Sequence, residues 1–464
     1  MSYRVVKIGG SSLTDFKNIK NIGRLIKQYN QPLVLVVSAL SGITNNLISF
    51  LSKPGKGEND ICLFLDDLYD RHWRIARYCI LDRDLLQTYE QQLKHRIERL
   101  KSLLKGALFI GDVPGFLYDE VLSYGERLSS QLLTSILCAY HIPFREALPE
   151  NFGLFTDGSF KNASIDFSKS KPNILKYFDS KKYYLVPGFY GVSAEGRINL
   201  LGRGGSDYTA AALALCLNAE SLDLWKDVEG FCSADPKIVP HASTIHSLSY
   251  QEAAELAYFG SRIIHPRTAE PLKAGNIPAR LFSFYTFRGD FNTHTLINGA
   301  KKVSDEVIKS ISYSDDFAIL ELRGHGVGLK PGILARVTDC FEKTGINIKS
   351  VITSQTDINF LLSENDLENA YTVVKQLNLS SIAGYSKKTS ISVIAAVGEG
   401  LVEVPGLAAR LFSAAARKQV NIQIIAFGAS KVAVYFIVDQ EDRDVVIHEI
   451  HDEFFFFFLK EEFC

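Results

Sequence analysis

Three glycines and an arginine within ten residues mark the stretch of this chain best suited to hold an anion. The segment Leu200–Thr209 reads LLGRGGSDYT. Gly202, Gly204 and Gly205 allow close backbone approach to a ligand and positive φ without strain. The run Arg197–Leu201 leads in, and the apolar block AAALALCL behind predicts a helix starting at Ser206 or Asp207. The N-terminus of such a helix offers unpaired N–H groups and a positive dipole end to an anion. Arg203 adds a planar fork that fits carboxylate or phosphate. The same residues also suit a plain strand-to-helix turn with Ser206 as N-cap. A second stretch of this kind, Lys7-Ile8-Gly9-Gly10-Ser11-Ser12, tips the balance toward ligand binding. There Lys7 ends a strand, and Gly9 and Gly10 let backbone N–H groups close on phosphates.

The elements that must position these residues follow from periodicity. Tyr3–Ile8 reads as a buried strand and Leu33–Val37 as an all-apolar one, the mark of a sheet covered on both faces. Between them, Thr14 or Asp15 starts a helix whose Ile19, Ile22, Leu25, Ile26 and Tyr29 form one apolar stripe. The small-residue turn SALSGITNN, Ser38–Asn46, opens another helix, so the chain begins as a βαβα unit with a parallel sheet. Asp60–Leu104 predicts two helices broken near Leu81-Asp82. The next helix carries SYGERLSSQLL, with Glu126 placed near its start, where a carboxylate suits the dipole. Further strands are expected at Tyr183–Val186, Ser221–Leu224 and Ala279–Phe284, with a turn or hairpin over Pro187–Gly196 and a helix over Ser249–Phe259. The loop WKDVEGFCSADPK, Trp225–Lys237, is polar and irregular, as functional loops at strand ends commonly are.

Bulk properties exclude several function classes. A chain of 464 residues suggests two to four domains. With 46% hydrophobic and 22% charged residues and net charge −1, nothing favours nucleic acid or an anionic membrane as partner. The chain enters a strand at once, with no signal-peptide core, and the apolar run Phe454–Leu459 is far short of the roughly 18 residues that span a bilayer. Seven scattered cysteines without a CxxC pair fit reduced thiols in a cytoplasmic enzyme rather than a disulfide frame or zinc site.

A boundary is expected between about Arg288 and Ser304, where periodicity is lost. Beyond it lie strands at Val307–Ser312, Ala318–Leu322 and Ile346–Thr353 around a helix at Ile333–Lys343. Strands at Ile391–Val397, Asn421–Ala426 and Val432–Val438 then surround a helix at Gly406–Arg417. Pro331-Gly332 and Pro405-Gly406 precede the two helices, and Asn347-Ile348 and Asn421-Ile422 open the strands after them. This is an internal repeat of α+β units.

Six segments, KIGGSS, SALSGITN, SYGERLSSQLL, GRGGSDYTA, WKDVEGFCSADPK and FGSRIIHP, occur in that order from Met1 to about Phe284. Together they strongly resemble the aspartokinases, a branch of the amino-acid kinase family, and the two repeats resemble the paired ACT domains of those enzymes. The resemblance implies an α/β amino-acid kinase fold, a mostly parallel sheet between helix layers, followed by two α+β ACT domains of βαββαβ type. The expected division is a catalytic domain at 1–290, a linker at 291–305 and a regulatory region at 306–464. Within that region the first ACT domain covers about 313–385 and is inserted into the second, 306–312 plus 386–452.

The implied reaction moves the γ-phosphoryl of MgATP to the β-carboxylate of L-aspartate, the first step toward lysine, threonine and methionine. The acceptor is ionised at neutral pH, so no general base is required, and cations and N–H donors are what the site needs. By resemblance, Lys7, Gly9, Gly10 and Ser11 meet the nucleotide phosphates. Lys226, Asp227, Cys232 and Lys237 match the nucleotide-binding segment, and Arg262 a basic position facing the phosphates. Arg203 clamps a substrate carboxylate, Glu126 holds the substrate ammonium, and Ser38 and Thr44 hydrogen-bond it. Asp207 stands at the reacting centre and organises Lys7 or the metal rather than removing a proton. ATP and Mg2+ are the implied cofactors, and no side chain is assigned as a metal ligand.

Four positions depart from the family pattern: Ser11 and Lys226 stand where many relatives have Thr, Arg262 where many have Lys, and Cys232 where some have Tyr. The ACT pair implies a homodimer and feedback by an amino acid, whose carboxylate would meet the loop His325–Gly332. Lys349 and Gln355 align with acids that hold lysine in lysine-inhibited relatives, which leaves lysine and a neutral effector such as threonine both open. Glutamate, acetylglutamate or UMP kinases of the same fold, and a catalytically silent amino-acid sensor, are the rival readings. The presence of Lys7 and Asp207 argues against the sensor. A fused homoserine dehydrogenase is not expected, since the chain ends soon after the second repeat.

Overall fold

The computed structural model describes residues 3–53, 57–261, 263–303, 307–325, 327–328 and 330–455. The chain divides into two compact units. The first comprises Met1–Phe231, Thr244–Ala257 and Arg262–Lys302, and the second Cys232–Ser243, Tyr258–Ser261 and Val303–Cys464.

The first unit holds the strands β1 (Arg4–Ile8), β2 (Val34–Val37), β3 (Phe144–Glu146), β4 (Tyr183–Pro187), β5 (Tyr190–Val192), β6 (Ile198–Leu200), β7 (Ser221–Lys226), β8 (Ser247–Ser249), β9 (Ala279–Ser283) and β10 (Thr295–Asn298). Eight of them form one sheet in the order β3-β4-β2-β1-β7-β9-β10-β8. Every neighbouring pair is parallel except β9 with β10. The central strands are mostly apolar because both faces are covered: β2 and β7 are buried at every position. Asp223 is a buried charge in the middle of β7. It is satisfied by Arg280 Nε at 2.8 Å and Nη2 at 2.6 Å and by the Tyr29 hydroxyl at 2.9 Å, which itself accepts from Trp225 Nε1 at 2.9 Å. This network holds the C-terminal end of β7 in place from the side of the core.

The first helix runs Phe16–Gln28, capped by Asp15, whose Oδ1 accepts from the N–H groups of Lys17 and Asn18. The long charged stretch forms helices Glu58–Cys79 and Arg83–Ile110, with the break where it was expected. β5 and β6 make the hairpin that delivers the chain to the glycine loop. Two local readings need correction. Glu126 lies in the middle of the helix Gly115–Ala139, not near its start, so the dipole does not account for it. The helix after the glycine loop begins at Gly205 and is capped by Gly204 at φ +77°, not by Ser206. The structure also places β10 within the stretch whose periodicity is lost. Thr295 Oγ1 there donates to the Ile245 carbonyl at 2.7 Å and accepts from Phe231 N–H at 3.0 Å, so polar pairing rather than apolar alternation sets this strand.

The second unit holds β11 (Ser310–Ser314), β12 (Phe317–Arg323), β13 (Ile348–Thr353), β14 (Asp357–Ser363), β15 (Gly384–Lys388), β16 (Ile391–Val397), β17 (Ile424–Ala426) and β18 (Ala433–Asp439). They form two antiparallel four-stranded sheets, β13-β14-β12-β15 and β11-β16-β18-β17. β11 pairs with β16, so the first repeat's sheet is built from chain inserted between strands of the second. Each repeat has a helix capped by the glycine of its Pro-Gly pair, Gly332 at φ +87° and Gly406 at φ +82°. Helices Leu367–Gln376 and Arg443–Phe455, which the periodicity did not single out, complete the two repeats. Segment 232–243 joins this unit because Ala234 and Val239 are buried in one core with Leu407, Leu411, Ile447 and Ile450. None of the described helices is long and apolar enough to cross a membrane.

Candidate functional site

Two neighbouring parallel strands and one helix N-terminus bring three charges to one buried point. Lys7 sits on β1 and Lys226 at the end of β7, strands that pair in parallel with Lys7 opposite Leu224. Asp207 lies in the first turn of the helix Gly205–Leu217. Its Oδ1 is 2.6 Å from Lys7 Nζ and its Oδ2 is 2.8 Å from Lys226 Nζ. Lys7, Asp207 and Lys226 are 5%, 4% and 9% exposed, so water screens this pairing little.

Burial alone would raise the Asp207 carboxyl, but Lys226 and Lys7 hold it well below the usual carboxylate range. Burial also pushes Lys226 down to about 8, with Lys7 acting in the same sense and Asp207 opposing. Two ammonium groups on one carboxylate leave a net positive centre. A buried cluster with surplus positive charge is costly unless an anion joins it. At Gly10 an added Cβ would lie 3.0 Å from the Ala39 carbonyl, so glycine lets the end of β1 pack against the Ser38–Asn46 turn without a shift.

Glu126 is a second buried acid, 3% exposed. Its Oε1 accepts from the Ala39 N–H at 3.1 Å, while its buried Oε2 has no hydrogen-bond partner among the described residues. Burial pushes its carboxyl up to about 8, against the backbone N–H of Ala39 and the charge of Lys7. An acid held this way is ready to take a cationic partner on its vacant oxygen. Ser38 and Thr44, half-buried, flank the same turn. The Ser38 carbonyl accepts from Ser129 Oγ at 2.7 Å, and Thr44 Oγ1 would lie 3.5 Å from a Cβ added at Gly125. Lack of a side chain at Gly125 thus lets the Glu126 helix approach the Ser38–Thr44 turn.

The remaining candidates are placed less tightly. Gly9 is buried and Ser11 half-buried, its carbonyl accepting from the Tyr285 hydroxyl at 3.0 Å. Arg203 is exposed in the glycine loop and forms no ion pair among the described residues. Asp227 is exposed just after β7. Cys232 and Lys237 belong to the second unit: the Cys232 carbonyl accepts from Ser310 Oγ at 2.7 Å, and Lys237 is exposed. Arg262 lies outside the described residues.

Two residues that sequence reasoning passed over hold the glycine loop. Asp119, fully buried, lies on the same helix as Glu126, two turns earlier. Its Oδ2 accepts from Leu200 N–H at 2.9 Å and from Lys161 N–H at 2.9 Å. Arg267 donates to the Leu201 carbonyl at 2.6 Å, to Asn162 Oδ1 at 2.5 Å and to the Ala163 carbonyl at 3.0 Å. The spacing of Asp119 and Glu126 on one helix face was the available signal for the first. Arg267 had none, because its partners, two main-chain carbonyls and the Asn162 side chain among them, lie far away in sequence.

Comparison with known proteins identifies the family and the fold. The amino acid kinase family model matches residues 2–283, and an ACT domain model matches 320–377 and 394–454. Aspartokinase 1, chloroplastic, of Arabidopsis thaliana is 28% identical over 466 residues, covering 97% of this chain and 80% of that protein. The bifunctional aspartokinase/homoserine dehydrogenase of Buchnera aphidicola is 26% identical over 98% of this chain, which spans only 56% of that relative. Among solved structures, E. coli aspartokinase III in complex with aspartate and ADP superposes with a TM-score of 0.84 at 24% identity, covering 98% of this chain and 100% of that one. The model match over residues 2–283, together with a fold shared along the whole length, means that this chain belongs to the amino acid kinase family and carries ACT domains behind its kinase region.

Proposed function

We propose that this chain is an aspartate kinase, transferring the γ-phosphoryl of MgATP to the β-carboxylate of L-aspartate to give 4-phospho-L-aspartate. The observation that carries the reading is the buried Lys7–Asp207–Lys226 cluster beside the glycine turns. Two anions must meet for this reaction, and charge spreads over the moving phosphoryl oxygens in the transition state. Lys7 and Lys226 supply fixed positive charge that needs no rearrangement as that charge develops. Asp207 is a poor proton acceptor, since both oxygens are committed to ammonium groups and its carboxyl titrates far below neutrality. It acts by aiming the two lysines. The donor set fits a polyphosphate, and with Asp207 so engaged, the Mg2+ that accompanies ATP would be held chiefly by the phosphates.

Glu126 Oε2 is the group we assign to the substrate ammonium, with Arg203 closing on a carboxylate and Ser38 and Thr44 giving orienting hydrogen bonds. Lys226, Asp227, Cys232, Lys237 and Arg262 are assigned to the nucleotide by resemblance. The division into a catalytic domain at 1–290, a linker at 291–305 and an ACT pair at 306–464 is part of this proposal, as are dimer formation and feedback by an amino acid at the ACT pair. Trapping the acyl phosphate as a hydroxamate tests the reaction: aspartate with MgATP should give aspartyl hydroxamate, and glutamate should not. ATP binding without product would overturn the reading.

A further inference from the structure

A group of side chains of metal-ligating type lies within the second unit. His241 and Asp452 are exposed and His451 is buried, and the ligand atoms they offer all lie within 4.8 Å of one another. His241 Nε2 is 3.7 Å from Asp452 Oδ1. Tetrahedral zinc with bonds of about 2.0–2.2 Å to nitrogen and oxygen sets its ligand atoms roughly 3.3–3.6 Å apart. The His241–Asp452 pair is close to that, and the exposed side chains of His241 and Asp452 would turn to bring the 4.8 Å span of the whole group into range. The rings of His241 and His451 stand at 74° with centroids 5.2 Å apart.

The second observation is on the buried member. His451 is 3% exposed, and its Nε2 lies 2.9 Å from Ser233 Oγ. Its buried Nδ1 has no hydrogen-bond partner among the described residues. A buried, unsatisfied ring nitrogen carries a desolvation cost that a bound cation would remove. Metal-bound histidines commonly donate the other ring N–H to a neighbouring oxygen, which fixes the tautomer, and Ser233 Oγ is placed to accept it. Ser233 is itself held, since its Oγ accepts from Ser243 N–H at 3.0 Å.

We infer that His241, His451 and Asp452 form a binding site for a divalent transition-metal cation of the zinc class, completed by water. The cation would staple the segment 232–243 to the helix Arg443–Phe455. Nitrogen and carboxylate ligands in this number suit Zn2+ or Co2+ over the all-oxygen preference of Mg2+.

The test uses full-length protein stripped with chelator and titrated with Co2+ in the absence of nucleotide. The wild type should develop the intense visible bands of tetrahedral Co2+, saturating at one ion per chain and displaced by Zn2+. His241→Ala should lose those bands or bind at least about tenfold more weakly, and Ser233→Ala should weaken binding by roughly 10- to 100-fold. Zn2+ should raise the melting temperature of the wild type and leave that of His241→Ala unchanged. If His241→Ala folds poorly, Asp452→Asn makes the same comparison. No bands in the wild type, or equal titrations of wild type and variants, would overturn the proposal.

Discussion

Lys226 and Lys349 show two ways for a folded chain to hold a lysine away from water. Lys226 is buried at the end of β7 and stays charged because Asp207 lies 2.8 Å away. Lys349 is half-buried on β13, with its ammonium 5.0 Å from the Tyr258 ring centroid and 6.0 Å from that of Phe317. Burial lowers it too, with Asp366 opposing. The first lysine is fixed by a carboxylate inside a net positive cluster, while the second rests on aromatic faces whose attraction is weaker and adaptable. Chemistry on a polyanion needs fixed charge, whereas an effector site has to change its contacts between states. The contrast fits the proposal that catalysis belongs to the first unit and amino-acid feedback to the second.

The sharpest way to break the comparison is to remove the carboxylate from the first lysine. Asp207→Asn leaves two buried ammonium groups without a counter-charge and should cost about 3–5 kcal/mol of stability, read as a lowered denaturant midpoint. A change under about 1 kcal/mol would mean that the cluster is better solvated than its burial implies. Glu126→Gln comes next. The folded chain keeps the Glu126 proton up to about 8, whereas the ordinary value is 4.5. The unfolded chain therefore binds fewer protons between those limits, and wild-type stability falls as pH rises through that window. Glu126→Gln should lack this fall, so its melting temperature should gain on wild type as pH rises from 4.5 to 8. Its KM for aspartate should rise by roughly tenfold or more, because an amide cannot neutralise the substrate ammonium. The smallest effect is expected at the second lysine. Lys349→Asp should shift the concentrations at which lysine or threonine inhibit, while uninhibited turnover stays within about twofold of wild type. Altered turnover with unchanged inhibition would count against a regulatory role.

Much of the kinase region was legible because its signals are local. The all-apolar β2 announced a sheet covered on both faces, and Asp15 announced a helix start, and both stand. Lys7 and Asp207 could be singled out from their glycine contexts, and the family resemblance offered Lys7 as a partner for Asp207, but Lys226 as its second partner could not be foreseen, since it depends on strand order and register. Glu126 was found by motif and misjudged by mechanism: its helix starts at Gly115, over an unremarkable Pro-Gly, rather than beside the acid. Gly204 displaced the expected cap because a positive φ, not a hydroxyl, turns the chain there. β10 escaped notice because one of its two buried members is Thr295, satisfied by hydrogen bonds, which breaks the apolar alternation. Arg267 and the His241–His451–Asp452 group were invisible for a simpler reason: their partners are brought together only by the tertiary fold.

The account stands or falls on fixed positive charge at the strand ends. Turnover of aspartate with MgATP by Lys7→Ala, measured alongside its melting curve, tests this most directly. Asp207 keeps Lys226 as its partner in this variant, so the fold should survive with a melting temperature near that of wild type. Turnover should fall by about 10²–10³-fold, the usual loss when one preorganised donor to a developing charge is removed. A well-folded Lys7→Ala that turns over aspartate at the wild-type rate would contradict it.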